Sequence, residues 1–230
     1  MASHHNRNRR DQAGRRSRRP HPSRFSRPRW QRRKAARPEE IVVAALDVFV
    51  ERGFAAARLE EIARRAGVTK GTIYLYFADK EALFEAVVRG TILPNIARAE
   101  QAVAEHRGNA AELLGRLLRT WWTVMGETRL SAIAKLVICE AATFPDLARF
   151  YHREVVSRGR RLIVGVLERG IARGEFRPVD VPYATMAAIA PVVFGAIYKH
   201  SLHRHEPKPF DLGRYVETHI ENFLRGLTHE

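Results

Sequence analysis

Residues 59–80, LEEIARRAGVTKGTIYLYFADK, decide the fold of this chain. Apolar side chains recur along this stretch at the three- and four-residue spacing of helices, and Gly67 interrupts the pattern. Ile62 and Ile73 lie on either side of this glycine, where they can lock two short helices together at a steep angle. The stretch therefore predicts a helix that ends at Gly67, a tight turn, and a further helix over residues 70–76. This outline is typical of a helix-turn-helix, whose second helix enters the major groove of DNA.

Helical periodicity continues on both sides of this stretch. Pro38, followed by Glu39 and Glu40, is a good helix start, because proline fits the first turn and acids complement the helix dipole. Gly53 is expected to end that helix. From residue 89 onward the apolar residues again follow helical spacing, and the sequence has no alternating run long enough to predict a strand. The sequence therefore predicts an all-α fold of about nine or ten helices.

Charge is distributed very unevenly along the chain. Residues 1–37 contain 14 basic residues and one acid, whereas the remaining residues contain 26 basic and 24 acidic residues. The first segment has too few large apolar groups to offset the loss of chain entropy on folding. We therefore expect a disordered Arg-rich tail over residues 1–37, a three-helix DNA-binding domain over residues 38–88, and a larger helical domain over residues 89–230.

The Arg-rich tail has several interpretations. A polycation of this density is attracted to phosphate by counterion release, and arginine can insert into a narrow minor groove, so nucleic-acid binding is one of them. An idle extension, a misassigned start codon and a transit peptide are the others, although the apolar face of a transit helix is missing. Any attraction of the tail to DNA would be independent of base sequence.

Several classes of function have no signal in the sequence. It contains no P-loop, no dinucleotide fingerprint, no HExxH and no nucleophile elbow with a partnered histidine, so we expect neither an enzyme nor a cofactor. The single cysteine excludes an internal disulfide, and the spacing of His200, His203 and His205 does not suit a metal site. Pro182 and Pro191 interrupt the most apolar stretch. We therefore expect no membrane span and a cytoplasmic protein.

The segment over residues 38–88 resembles the DNA-binding part of the TetR/AcrR family of transcriptional regulators. Its opening helix ends in ERGF at residues 51–54, and EIARRAGVTKGTIYLYF at 61–77 and DKEALFEAVV at 79–88 follow. The family pattern of Ile-Ala, a Gly-Val turn, a small-Lys-Gly step and an aromatic pair is matched almost position by position. The resemblance implies a ligand-responsive regulator, most commonly a repressor, which releases a pseudo-palindromic operator when a small apolar molecule binds its C-terminal domain.

The third predicted helix carries most of the candidate contacts to DNA. Lysine near a helix start can reach guanine edges or a phosphate, glycine lets the backbone approach, and hydroxyls suit phosphate oxygens. Lys80 would add its charge to the amide end of the next helix, which favours a phosphate. Family members usually have Thr or Ser just before the second helix; here Arg58 stands there, so a cap is missing at a cost of about 1 kcal/mol. The predicted DNA-binding residues are Arg58, Thr69, Lys70, Gly71, Thr72, Tyr74, Tyr76 and Lys80.

The resemblance also implies that the C-terminal helices form a homodimer and an effector pocket. The helices over residues 153–173 and 182–200 are the predicted dimer interface, with the last helix as the alternative. Aromatic and apolar residues at helical spacing offer an adaptable pocket lining, although such stripes also form ordinary cores. Glu140 would favour a cationic ligand or pair with an arginine. The predicted effector-binding residues are Trp121, Trp122, Met125, Ile133, Val137, Glu140, Phe144, Phe150 and Tyr151.

Two other classes of function remain as alternatives. A nucleic-acid binder dominated by its tail would lose affinity for every DNA sequence alike when residues 1–37 are removed. An all-helical enzyme is conceivable, but nothing in the sequence requires one. The sequence does not distinguish repression from activation, because that depends on where the operator lies.

Overall fold

The computed structural model describes residues 30–228, with side chains described from residue 38 onward. The prediction of a disordered tail therefore lies outside the described residues over positions 1–29. Residues from Ala36 onward form one compact unit.

Eleven α-helical segments and no strand are found among residues 30–228. Ile92 joins the fourth segment to the fifth, and the π turn His152–Val156 joins the eighth to the ninth, so the segments form nine continuous helical stretches. The predicted all-α fold is confirmed. The segments are α1 Trp30–Ala56, α2 Leu59–Arg65, α3 Lys70–Tyr74, α4 Lys80–Thr91, α5 Leu93–Glu105, α6 Ala110–Trp121, α7 Ser131–Glu140, α8 Pro145–Tyr151, α9 Ser157–Ala172, α10 Val181–Lys199 and α11 Leu212–Leu227.

The first helix differs from its predicted bounds at its start. It begins at Trp30, before the predicted start at Pro38, and the proline lies inside it. The preceding residues are mostly Arg, Lys, Gln and Ala, which are good helix formers. At Gly53 the helical conformation breaks, as predicted, with φ 79° and ψ 171°, and a further turn follows across this kink to Ala56. Glycine adopts this positive φ without the strain that a side chain would add.

Two apolar cores hold the described helices together. The first core lies between α1, α2, α3 and α4 and extends to α7 and α8; its fully buried residues include Phe49, Phe54, Phe84 and Ile133. The second core lies between α6, α9, α10 and α11. Trp121 packs against both. The first core therefore crosses the domain boundary predicted at residue 88, because α7 and α8 belong to the C-terminal part of the sequence.

The prolines in the long apolar helix α10 do not have the effect predicted from the sequence. This helix runs from Val181 to Lys199 through both Pro182 and Pro191, so the prolines do not interrupt it. Pro182 lies in the first turn, where its missing N–H removes no helical hydrogen bond. By length and composition alone α10 could cross a membrane, but a single helix of this kind is weak evidence of a span. Only 28% of an 18-residue apolar window of this helix is buried, which leaves an apolar surface uncovered.

Candidate DNA-binding surface and effector domain

The turn between α2 and α3 has the predicted geometry. Gly67 has a φ of 66°, a left-handed conformation that favours glycine. The Val68 N–H donates to the Ala63 carbonyl at 2.9 Å and closes the turn. Ile62 and Ile73 are fully buried and pack the two helices onto the first core. The predicted helix-turn-helix is therefore confirmed, and α3 takes the place of the recognition helix.

The N-termini of α2 and α3 differ in how they are capped. Thr69 Oγ1 accepts a hydrogen bond from the Thr72 N–H at 3.2 Å and lies 2.9 Å from Thr72 Oγ1. These two predicted DNA-binding residues thus bond to each other and fix the start of α3. Arg58 makes no side-chain cap at α2, as the sequence predicted. Glu60 and Glu61 in the first turn of α2 complement its dipole instead.

The outer surface of α3 carries exposed polar and aromatic side chains. Lys70, Gly71, Tyr74 and Tyr76 are all exposed, and so is Arg58. Lys70 Nζ lies 2.6 Å from Glu60 Oε1 and 5.8 Å from the centre of the Tyr74 ring. The hydrogen bond and the opposite charge of this pair raise the pKa of Lys70 and lower the pKa of Glu60. The predicted contacts therefore share an accessible surface, and Lys70 already has a partner on it.

Leu75 is a surface residue that the sequence argument missed. Its side chain is 79% exposed, although leucine is normally buried. It follows the Tyr74 that the pattern singled out, and an apolar side chain at this place can contact a thymine methyl group. The sequence signal that could have identified Leu75 was its position between Tyr74 and Tyr76, which were both predicted to contact DNA.

The structure places Lys80 differently from the prediction. Its Nζ donates to the carbonyl oxygens of Phe54 at 2.7 Å and Ala55 at 3.2 Å, and lies 3.4 Å from that of Ala57. The ammonium also lies 4.6 Å from the centre of the Phe54 ring. Three carbonyls match the three donors of an ammonium, so none is left for a phosphate in this conformation. Lys80 therefore holds the junction between α1 and α2.

The predicted effector-binding residues are divided between the two cores. Five of them are buried in the first core, and Trp121 and Phe144 pack against it. Trp122 is buried in the second core, where its Nε1 has no hydrogen-bond partner among the described residues. Burial raises the pKa of Tyr151 well above its usual range. The buried five are Met125, Ile133, Val137, Phe150 and Tyr151.

Glu140 and Phe144 contact the end of α1. Glu140 Oε1 accepts a hydrogen bond from the Ala55 N–H at 3.2 Å, and the Phe144 ring centre lies 4.8 Å from that of Phe54. Among the side chains described from residue 38 onward, no arginine pairs with Glu140 as predicted, and this backbone N–H takes its place. Ala55 is therefore bound at both backbone groups: Glu140 accepts from its N–H, and Lys80 donates to its carbonyl. We call Glu140, Ala55 and Lys80 the Ala55 clamp.

An apolar face of α10 is exposed. Tyr183 is 77% exposed, and Met186, Ala187, Ala190 and Phe194 follow at helical spacing and are also exposed. A groove of about 610 Å³ runs beside this face between α10 and α11. The apolar face of α9 is different, because Ile163, Val166 and Leu167 are buried in the second core. The uncovered surface therefore lies on α10, one of the two helices predicted for the interface, and beside α11, the predicted alternative.

The histidines near the end of α10 are bonded within the protein. His200 Nε2 lies 2.6 Å from Ser131 Oγ, and His203 Nε2 lies 2.9 Å from the Phe210 carbonyl. In the part of the chain that the structure describes, no three His, Cys, Asp or Glu side chains are grouped closely enough to hold a metal ion.

Two family models match this chain. The model of bacterial regulatory proteins of the tetR family covers residues 41–87, and that of the tetracyclin repressor-like C-terminal domain covers residues 104–218. The HTH-type transcriptional repressor KstR2 of Mycobacterium tuberculosis is 30% identical over 154 residues, which cover 64% of this chain and 74% of that protein. The fatty acid metabolism regulator protein of Bacillus subtilis is 28% identical over 168 residues, covering 71% of this chain and 82% of that protein.

Solved structures show the same fold. The regulator FadR of Bacillus subtilis, crystallised in complex with stearoyl-CoA, superposes with a TM-score of 0.68 at 24% identity, covering 82% of this chain and 98% of that one. The ketosteroid transcriptional regulator KstR2 of Mycobacterium tuberculosis superposes with a TM-score of 0.65 at 25% identity, covering 84% and 96%. With an exposed recognition helix after the Gly67 turn, the chain belongs to the tetR family of bacterial regulatory proteins and is a DNA-binding transcriptional regulator.

Proposed function

We propose that this regulator is a repressor that binds a pseudo-palindromic operator as a homodimer in the cytoplasm and releases it when a lipid-like molecule binds. DNA binding is assigned to residues 38–88, and effector binding and dimerisation to residues 89–230. The proposal rests on the exposed surface at α3, which carries Lys70, Tyr74 and Tyr76. Another face of the same helix is buried and packs on the first core.

The proposed contacts to DNA follow from the placement of each residue. Lys70 at the start of α3 can donate to guanine or to a phosphate, and Gly71 leaves room for the approach of the backbone. The tyrosine hydroxyls and Arg58 suit phosphate oxygens. Thr69 and Thr72 act first by capping α3, which fixes the direction in which Lys70 projects.

Tyr74→Ala is expected to weaken operator binding by about 1.5 kcal/mol, or roughly tenfold, because one hydrogen bond and one aromatic contact are lost. Tyr74 is exposed in the free protein, so the fold should be unaffected. Fluorescence anisotropy with labelled operator measures the affinity. Ile138→Ala, which removes an exposed apolar side chain from α7, serves as the control for DNA contact at α3. An unchanged affinity of the Tyr74 variant would remove this residue from the interface.

The proposed dimer forms through α10 and α11. The exposed apolar face of α10 and the groove beside it form a continuous surface that a second copy of the chain can cover. A two-fold axis makes such an interface self-complementary. Symmetry then places two recognition helices on successive major-groove faces of the operator.

The proposed effector has a large apolar part. Its candidate site lies around α6, α7 and α8, where most of the predicted lining residues lie in or against the first apolar core, which must open to admit a ligand. FadR was crystallised with stearoyl-CoA, and KstR2 is described as a ketosteroid regulator. A long acyl chain and a steroid share the chemistry of a large apolar body. Stearoyl-CoA is therefore the first effector to test, with free coenzyme A as the control.

The test begins with an operator selected from random-sequence duplexes. We expect the full chain to prefer this operator over a scrambled duplex and stearoyl-CoA, but not coenzyme A, to release it. In a Trp30→Phe chain the remaining tryptophans are Trp121 and Trp122, so their fluorescence reports whether the ligand reaches the candidate site. Release of DNA by both compounds, or by neither, would contradict the proposed effector.

Removal of residues 1–37 tests the contribution of the Arg-rich tail. Because the tail carries most of the chain's net positive charge, the 38–230 protein should bind more weakly and with a shallower dependence on salt. It should still prefer the operator, because α3 is intact. Equal loss of binding to both duplexes would instead favour the alternative in which the tail binds nucleic acid independently of sequence.

A further inference from the structure

The ion pair between Lys70 and Glu60 joins the two helices of the helix-turn-helix at the surface. Lys70 is the first residue of α3, and Glu60 lies in the first turn of α2. Nζ and Oε1 are 2.6 Å apart, and the side chains are 46% and 61% exposed. The pair is therefore accessible to water and to DNA.

The neighbouring acids are bound differently. Arg65 donates to Glu51 at 2.6 and 2.7 Å, which links α2 to α1, and to Glu61 within α2 at 2.7 Å. Glu60 instead binds a side chain that the proposed function places against DNA. The Glu60 carboxylate binds the Lys70 ammonium as a DNA phosphate oxygen would, because both groups are anionic acceptors.

DNA must compete with Glu60 for Lys70. When Lys70 turns to the operator, its ion pair with Glu60 is broken, and the free energy of that pair is lost from the free energy of DNA binding. Exposed pairs of this kind are weak, so the competition lowers the affinity without preventing binding.

We propose that Glu60 is a positioning residue that limits DNA affinity by occupying the Lys70 ammonium in the free protein. This inference rests on the proposed contact of Lys70 with DNA. Removing the negative charge at position 60 while keeping the size of the side chain should release Lys70 and strengthen binding. The effect should act through Lys70, and it should depend on salt.

The test uses four forms of the full chain: wild type, Glu60→Gln, Lys70→Gln and the double variant. Anisotropy titrations with the selected operator at several salt concentrations give the affinities and the salt slopes. We expect Glu60→Gln to bind roughly three- to tenfold more tightly, with a slope steeper by about one ion. Lys70→Gln should bind roughly fivefold more weakly, and in its presence Glu60→Gln should change the affinity by less than about twofold.

Two controls separate this effect from simpler causes. Glu168→Gln makes the same change in net charge on α9, which packs against α5, α6 and α10, and should leave affinity and slope as in the wild type. Glu60→Asp keeps the charge and should remain close to the wild type. A loss of stability in Glu60→Gln would weaken binding, which is opposite to the expected result.

The outcomes distinguish the inference from the proposed contact. If Lys70→Gln leaves the affinity unchanged, Lys70 does not contact DNA, and both the contact and the inference are wrong. If Lys70→Gln weakens binding but Glu60→Gln behaves like Glu168→Gln, the contact stands and the inference is wrong. Tightening by Glu60→Gln that persists without Lys70 would also overturn the inference, because Glu60 would then act on DNA directly.

Discussion

Ala190→Arg is expected to leave the chain folded but to abolish the homodimer and, with it, operator binding. Ala190 is exposed on α10, between Met186 and Phe194 on the apolar face. A two-fold axis would bury the new charge twice without a partner, which costs several kcal/mol. We expect dimerisation to weaken by at least about 3 kcal/mol, or more than about a hundredfold. Sedimentation equilibrium measures the change, and anisotropy should show a parallel loss of operator binding.

Ala104→Arg is the matched control for this prediction. Ala104 is also an exposed alanine within a helix, but it lies on α5, outside the proposed interface. Its variant should remain a dimer and bind the operator. If Ala190→Arg also remains a dimer, the interface lies elsewhere, and α9, the other helix predicted from the sequence, becomes the next candidate.

Lys80→Ala is expected to lower the free energy of unfolding by about 2 to 4 kcal/mol, because charged hydrogen bonds and a contact with the Phe54 ring are lost. The carbonyls of Phe54 and Ala55 lose their donor. Urea unfolding followed by circular dichroism measures the effect. At low temperature, where the variant remains folded, operator affinity should stay close to that of the wild type.

Lys70→Ala gives the complementary result. Its exposed pair with Glu60 contributes little to stability, so its unfolding curve should match the wild type, while its operator affinity falls. An unchanged unfolding midpoint for Lys80→Ala, combined with a loss of DNA affinity, would return Lys80 to the DNA-binding surface.

The helix-turn-helix could be predicted because its determinants are local. Helical spacing, the Gly67 turn and the buried Ile62 and Ile73 all lie within one short stretch of sequence. The surroundings of Lys80 and Glu140 could not be predicted in this way. Lys80 binds carbonyls that precede it by more than 20 residues, and Glu140 binds the N–H of Ala55, which is 85 residues away. Such partners depend on tertiary packing, which spacing along one helix does not report.

The sequence did not decide which two C-terminal helices form the dimer interface, for a different reason. Apolar residues occur on α9, α10 and α11, and periodicity shows that a face is apolar without showing what covers it. In the structure, α9 is covered by α5, α6 and α10, whereas α10 keeps an exposed face. Its residues are apolar on most sides, so the buried face and the exposed face are hard to separate by sequence. Thr69 was predicted only as a contact to DNA, although a threonine directly before a helix is also a common N-cap.

The Ala55 clamp connects the proposed effector site to the proposed DNA-binding surface, and any coupling between two binding sites acts equally in both directions. Glu140 ends α7, which carries Ile133 and Val137, and it holds the last turn of α1 just before α2 begins. We expect an effector that displaces α7 to strain or break this hydrogen bond and thereby to shift the end of α1 that leads into α2. Operator DNA that holds α2 and α3 in place then resists the effector by the same free energy with which the effector opposes DNA.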